Sequence, residues 1–458
     1  MSWIFFLLVV ILIVSVSIYY YFYRKSSEIV PPTIPRFKEN DNFYDEIWKN
    51  KFLNTSIRPQ CIIQPRTTKD LNHLINIEKI RDFSIRGCGY CTQKWSSSEN
   101  FIFDMSMFNS VKIIDHGIDK IAMLEAGVDL HRAYKTIYEL GYMFPAGSFL
   151  GNGVVAQSLS GGIGYLTRKF GLLSENIVAY KIFIASGDSI MVDENENSDL
   201  FYALKGCGAS NFGIVTQIFV KLYKLPEKMI CFKLTYDLKH LYDVLHWFTN
   251  DRRKKMSINL TCKLTIKDSI IVLSGQILGN VKLLRKQLED LINPAESEVE
   301  YMNFSDAVDY FSYTIVQDNI KYKSSFGNTE LDDKSITMLK NSIKDIGNDF
   351  TIELYMLKSK SVKETSIVNP NATYLITYSI YWNEDEEVKW GLVQLDALYE
   401  KMRLVLSSYS YMGFMDSEIT NYKKAYYGKT RRYQKLLEIK EKYDPENIFN
   451  FPQGLWGV

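Results

Sequence analysis

The chain has 458 residues and a formal net charge of +1, with 54 Lys and Arg against 53 Asp and Glu. That balance supplies no basic surface for nucleic acid, while the length suffices for two or three sizeable cores. Aromatic residues make up 14%, which suits ring-lined pockets and ordinary strands alike, so composition excludes one class of partner and selects none.

The first 23 residues carry no charged side chain. Trp3 to Tyr23 gives about 20 apolar or aromatic residues, enough as a helix to cross a bilayer core, with Trp3 and Tyr19, Tyr20, Tyr21 and Tyr23 at the two ends where interfacial rings belong. A signal peptide is the competing reading. It is disfavoured because no positive charge precedes the apolar run and no small-residue cleavage site follows it. Residues 1–25 are therefore expected to be an uncleaved single-pass anchor, with Arg24 and Lys25 directing the rest to the cytoplasm. Pro31, Pro32 and Pro35 then mark residues 26–53 as an extended spacer.

A unit over 54–226 opens with a βαβ pattern. Cys61-Ile-Ile-Gln64 reads as a strand, and Thr67 with Asp70 three residues on starts a helix with Leu71, Leu74 and Ile75 on its apolar face. Phe83-Ser-Ile-Arg86 is the next strand, running into Gly87-Cys88-Gly89. A turn of exposed amides beside Arg86 suits a pyrophosphate. Cys88-Gly-Tyr-Cys91 is a C-x-x-C followed by a loop rather than a helix, which points to a local disulfide or two free thiols, not redox catalysis or a zinc site. Further strands are expected at 102–105, 111–114 and 122–126, then a helix capped by Asp129.

The run Pro145–Gly171, PAGSFLGNGVVAQSLSGGIGYLTRKFG, holds seven glycines interleaved with Val154, Val155, Leu159, Ile163 and Leu166. It is too apolar for a linker and lacks the G-K-[ST] of a Walker loop; main-chain amides converging on a phosphate are the reading it favours. Strands at 178–185, 189–192 and 214–222 and a helix at 199–206 complete the unit, and Pro226 closes it. From 227 to 410, long strands such as 269–277 and 373–382 alternate with helical stretches at 284–292 and 388–406, which suits an antiparallel sheet covered on one face. The segment 411–458 is expected to pack back onto the first unit.

Five pieces in order, RPQCIIQP, FSIRGCGY, the SGGIGYLTRKFGLLSENIV run, DLFYALKGCGASNFGIVT and YYGKTRRYQKLLEIKEKYDPENIF, resemble the FAD-linked oxidases of the vanillyl-alcohol-oxidase superfamily, closest to its berberine-bridge-enzyme-like branch. The resemblance covers Arg58 to the C-terminus. It implies an α+β fold: a PCMH-type FAD-binding domain of two α+β subdomains, then an antiparallel substrate domain with helices on one face. It implies FAD as cofactor, held by Arg86, Gly87, Cys88, Gly89 and Tyr90 and by Gly147, Gly153, Gln157, Ser160, Gly161, Gly162 and Gly164, with Asn176, Ile214 and Asp444 to Asn447 near the cofactor or supporting its pocket.

Several positions depart from the family pattern. Tyr90 stands where the family's flavin-linked histidine falls, and none of the five histidines replaces it; Phe149 stands in place of the second-link cysteine. The implied FAD is therefore noncovalent. Asn152 occupies the oxygen-access position, which leaves the electron acceptor open between oxygen and another oxidant. The carboxylate base of plant members falls near Ser359 and is missing. Tyr411 and Asp416 match part of the Y-x-N-x-x-D element, with Gly413 replacing its asparagine. Tyr411 is the first candidate for base or hydrogen-bond partner, followed by Asp416 and Glu353, against the alternative of a buried ring packing on flavin or core. Two functions stay open: an anchored FAD-dependent oxidoreductase dehydrogenating a small hydroxylated molecule, such as a sugar or secondary metabolite, by hydride transfer, and a protein that keeps the FAD-binding fold with catalysis lost.

Overall fold

The computed structural model describes residues 33–457 apart from 118, 209, 251–254, 313–318, 347–349, 358–363, 370 and 384. The expected anchor over 1–25 and the base position at Ser359 lie outside these residues. Among the described residues no helix is long and apolar enough to cross a membrane.

A four-stranded and a five-stranded sheet, with a two-stranded ribbon of Tyr142–Met143 and Tyr223–Lys224 beside them, build the first half. In one, β2 (Cys61–Ile63), β4 (Phe101–Asp104) and β3 (Phe83–Arg86) run parallel, and β1 (Arg36–Lys38) adds antiparallel to β2. Part of the expected spacer is thus folded. Phe37, Ile47 and Trp48 pack on the buried Tyr44, Ile62 and Ile102, apolar surface that an extended linker would leave in water. Between β2 and β3 the expected crossover helix begins where the Thr67 hydroxyl accepts the Asp70 N–H at 3.2 Å.

The other sheet is wholly antiparallel, in the order β5 (Val111–His116), β6 (Asp119–Glu125), β9 (Ile214–Lys221), β7 (Ile177–Phe183), β8 (Ser189–Asp193). Helix α1 (Leu130–Glu139) is capped by Asp129, whose carboxylate accepts from the Arg132 N–H at 2.8 Å. The glycine run leads into α2 (Val154–Ser160).

A seven-stranded antiparallel sheet forms the second half, in the order β13 (Glu296–Met302), β10 (Met229–Asp237), β12 (Ile270–Ile277), β11 (Leu260–Lys267), β15 (Phe350–Met356), β16 (Tyr374–Trp382), β14 (Asn319–Gly327). Its period of two separates two rows of side chains. Leu234, Leu273, Leu264, Leu354 and Ile376 are buried on the side covered by α3 (Leu241–Thr249), α4 (Asp333–Ile346) and α5 (Asp385–Val405). Lys233, Ser274, Lys263 and Tyr355 lie in register on the opposite side, where the Ser274 hydroxyl meets the Tyr165 hydroxyl of the glycine run at 2.8 Å. The helix expected at 284–292 lies instead at Val281–Gln287, because Asn280 accepts the Leu283 N–H at 2.9 Å and fixes an earlier start.

The C-terminal helix α6 (Thr430–Tyr443) stops at Asp444, whose carboxylate takes the Ile448 and Phe449 N–H groups at 2.8 and 2.9 Å and pairs with Lys440. The tail returns to the first half, with the Leu455 N–H donating to Asn211 Oδ1 at 3.0 Å.

Candidate functional site

A cleft of about 270 Å³ opens where the turn after β3, the glycine run and the polar face of the large sheet converge. One end is lined by Gly87, Cys88, Gly89, Gly147, Ser148, Gly153, Gln157 and Ser160, the other by Tyr322, Tyr355, Tyr411 and Phe414. Glycine makes the first end compact. A Cβ at Gly153 would stand 3.3 Å from Cys88 Sγ, so the two glycine segments touch with nothing to spare. Gln157 Oε1 accepts the Gly147 N–H at 2.8 Å, and Tyr134 donates to the Gly147 carbonyl at 2.9 Å, which fixes this wall from behind.

Among the described residues no lining residue carries a formal charge. Arg86, expected at the phosphate, is turned into the core. Its guanidinium donates to Asp104 Oδ2 at 2.7 Å and to the Trp48 carbonyl at 3.1 Å, and the side chain is 5% exposed. A buried cation needs a buried partner, and Asp104 at the end of the neighbouring strand supplies one. An elongated cofactor with a diphosphate and a flat ring fits the remaining chemistry: amides and hydroxyls at the glycine end, rings at the other. Gly87, Cys88, Gly89, Tyr90, Gly147, Gly153, Gln157 and Ser160 are the expected residues that could hold FAD there.

The remaining expected residues stand behind the wall. Gly161 and Gly162, at φ 128° and 79°, turn the backbone so that the Gly162 N–H donates to the Tyr411 hydroxyl at 2.9 Å. Gly164 donates to Thr167 Oγ1 at 2.9 Å, and a Cβ there would collide with the Ala146 carbonyl oxygen. Asn176 braces a loop, donating to the Phe170 and Leu172 carbonyls at 3.0 and 2.7 Å and accepting from Tyr223 at 2.7 Å. Ile214 is buried at the start of β9. Asn447 forms the turn after α6 with φ 52°. None of these lines the cleft.

Tyr90 does line it, seated edge-on between Phe52 and Phe149 at centroid distances of 6.3 and 4.8 Å. Burial raises its phenol above the ordinary tyrosine value, with Cys88 and Asp129 adding to the effect. Cys88 and Cys91 are free thiols. Burial pushes Cys88 up to about 12, and Cys91 is raised for the same reason, so neither is a ready thiolate.

The catalytic candidates separate. Tyr411 is buried at the ring end, and burial raises its pKa against its hydrogen bonds with the Gly162 N–H and the Ser160 side chain. A phenol held protonated is a donor, not a base. Asp416 lies outside the cleft, on a wider groove of about 750 Å³ lined also by Asp82, Lys321 and Trp382. It is paired with the buried Lys323, and its own N–H donates to the Tyr426 hydroxyl at 2.8 Å. The geometry thus sets the two apart: Tyr411 lines the cleft with its phenol raised by burial, while Asp416 is tied to Lys323 away from it. Glu353 accepts from Lys263 Nζ at 2.7 Å and from the Tyr355 hydroxyl at 2.6 Å. Tyr355 went unread in the sequence, although the alternation over Phe350–Met356 places it on the same face as Glu353.

Residues 59–193 match the FAD binding domain family, and residues 410–455 match the berberine and berberine-like family. An uncharacterized FAD-linked oxidoreductase, YvdP of Bacillus subtilis, is 27% identical over 443 residues, 91% of this chain and 96% of that one. Berberine bridge enzyme-like 21 of Arabidopsis thaliana is 26% identical over 464 residues, covering 89% and 85%. The solved structure of Physcomitrella patens BBE-like 1 superposes with a TM-score of 0.84 at 22% identity, covering 92% of this chain and 96% of its own, and so shares the fold. The chain is an FAD-linked oxidoreductase that carries an FAD-binding domain and a berberine-like segment and is similar over most of its length to berberine-bridge-enzyme-like proteins.

Proposed function

We propose that this oxidoreductase holds FAD noncovalently in the glycine-lined cleft and dehydrogenates a small hydroxylated molecule, such as a sugar or a secondary metabolite, at the ring-lined end. The observation that carries the reading is one continuous cleft with uncharged amide and hydroxyl donors at one end and two tyrosine hydroxyls, Tyr355 and Tyr411, at the other. When bound, FAD supplies the hydride acceptor. The chain supplies the rest. Gly87, Gly89, Gly147 and Gly153 let a diphosphate approach bare backbone. Tyr411, braced by Gly162, keeps its own proton to donate and orients a substrate oxygen. Tyr322 and Phe414, stacked with centroids 4.9 Å apart, close the end against water.

Noncovalent binding is supported by Tyr90, whose phenol is kept neutral, and by Phe149 beside it. The unit boundaries at 54–226, 227–410 and 411–458 belong to the same reading, as does a membrane anchor formed by Trp3–Tyr23 with the catalytic part on the cytoplasmic side. Carbonate extraction of membranes followed by protease protection tests the anchor: a protein released by carbonate is not anchored, and one shielded from external protease in right-side-out vesicles is oriented as proposed.

The absorbance spectrum of the purified full-length chain, before and after acid precipitation, tests the cofactor. Yellow colour moving to the supernatant is expected. Colour retained in the pellet means a covalent link and points to Tyr90. A protein that stays colourless after FAD is added overturns the reading.

A further inference from the structure

The groove of about 750 Å³ outside the cleft shares a wall with it. Thr92, Gln93, Trp95 and Phe451 line both spaces, and the Trp95 and Phe451 rings touch with centroids 5.2 Å apart. A second contact runs beside them. Ile320 of the groove packs in one buried cluster with Phe52 and Tyr322 of the cleft, and Tyr90 lies against that cluster. Phe52, Ile320 and Tyr322 are 2%, 1% and 4% exposed, so this part of the wall is closed to water. Asn54 holds it in place, donating to the Ile320 carbonyl at 2.8 Å and accepting the Ile320 N–H at 3.1 Å. No substrate passes such a wall, but an electron can.

We propose that the groove seats a quinone, the electron acceptor, which takes through this wall the electrons that FAD collects in the cleft; this rests on the oxidoreductase reading above. The lining selects the class. Trp95 comes from the first half and Trp382 from the end of β16, and both indoles are half-buried, so each leaves part of a flat face to the groove. A conjugated quinone ring stacks on such a face. Its two carbonyl oxygens accept hydrogen bonds, and reduction turns them into hydroxyls that donate. A lining that holds an exposed ammonium, Lys94, and two exposed carboxylates, Asp82 and Glu99, serves both forms. A phosphate or carboxylate ligand would be repelled by those two acids, and a purely apolar one would strand all three charges.

The quinone gains two electrons from the reduced cofactor and two protons, one on each carbonyl oxygen, and leaves as a quinol. Its protons come from the open groove, where water and Lys94 supply them. The protons held by the reduced cofactor are released on the cleft side, so the exchange balances and the cofactor returns to its oxidised form. Substrate and acceptor occupy separate spaces, and neither has to leave before the other binds.

The test uses the full-length protein and menadione, a quinone ring without a long tail. Menadione is expected to quench the tryptophan fluorescence saturably. Trp382→Leu and Lys94→Gln, at positions that line the groove and not the cleft, are each expected to weaken this binding by about two- to tenfold with FAD content unaltered. With the flavin reduced by light and EDTA under argon, its reoxidation should saturate at the menadione concentration that the fluorescence titration gives. Both variants should raise that concentration by the factor seen in binding. Equal binding in wild type and both variants, or reoxidation that rises linearly without saturating, overturns the proposal. So does displacement of menadione by FAD added to flavin-free protein, because the quinone would then sit in the cleft. A protein that takes up no flavin defeats the oxidoreductase reading, while the fluorescence titration still judges the groove.

Discussion

The Tyr411 hydroxyl accepts the Gly162 N–H at 2.9 Å across 249 positions of sequence, tying the C-terminal segment to the glycine run. Both groups are buried, so removing the oxygen strands an amide away from water. Tyr411→Phe is expected to destabilise the protein by about 1–3 kcal/mol, read as a lower urea midpoint with unchanged slope. An unaltered midpoint would show that the amide finds another partner and that the tie carries no stability.

Arg86 and Asp104 are a buried ion pair rather than a phosphate clamp, and this predicts opposite behaviour for single and double replacements. Asp104→Asn leaves a guanidinium buried without its countercharge and is expected to cost about 3–5 kcal/mol. Arg86→Met combined with Asp104→Leu removes both charges and is expected to recover most of that loss with FAD still bound. Selective loss of FAD from a stable double variant would return Arg86 to the cofactor.

The expected elements followed from strong local signals. Thr67 and Asp129 cap the helices they were expected to cap, and the long strands of the second half alternate as their burial does. The glycine run pointed to a ligand-holding segment because so many bare backbone positions among apolar residues have few other uses, and part of it lines the cleft. Sequence order cannot say which way a side chain turns. Arg86 follows a strand and precedes a glycine turn in either reading, and only the parallel pairing with β4 brings Asp104 alongside it. Tyr355 was hidden for a related reason. Its partner Lys263 is 90 positions from Glu353, and no local motif announces a contact made by strand register. That part of the expected spacer is folded went unseen because Phe37 and Tyr44, scattered among charges, find their apolar partners only in the folded sheet.

Gly162 tests the wall itself. Its φ of 79° is left-handed, and a Cβ would lie 2.6 Å from the Leu173 Cβ. Gly162→Ala therefore meets both backbone strain and a clash that the 3₁₀ turn Leu173–Asn176 must absorb. We expect a loss of more than about 1 kcal/mol together with weaker FAD retention on gel filtration. Gly117→Ala, also at positive φ but with open space around it, is the control. It should lose stability from strain alone and retain FAD. Equal FAD retention in the two variants would remove Gly162 from the account of the wall.

His246 gives the second half a pH dependence whose sign can be worked out. Its Nδ1 meets Glu330 at 3.0 Å and its Nε2 meets Asp333 at 2.8 Å, joining α3 to the start of α4. Burial alone would lower the imidazole pKa, and the hydrogen bonds it donates to Asp333 and Glu330 outweigh that, so the folded value is raised. The folded state therefore binds the proton more tightly than the unfolded chain, whose histidine titrates near about 6.5. The stabilisation is fully present below that value and is lost as pH rises through the raised folded pKa. Because the imidazole is 35% exposed, screening holds the effect to about 0.2–1 kcal/mol. Thermal unfolding of wild type and His246→Gln should differ most at about pH 5.5 and converge by about pH 8.5. The gap should shrink in high salt as well, since a half-exposed ion pair is screened. A gap that is constant across this range would mean that His246 acts by packing, and one that widens with pH would mean that it is neutral in the folded protein.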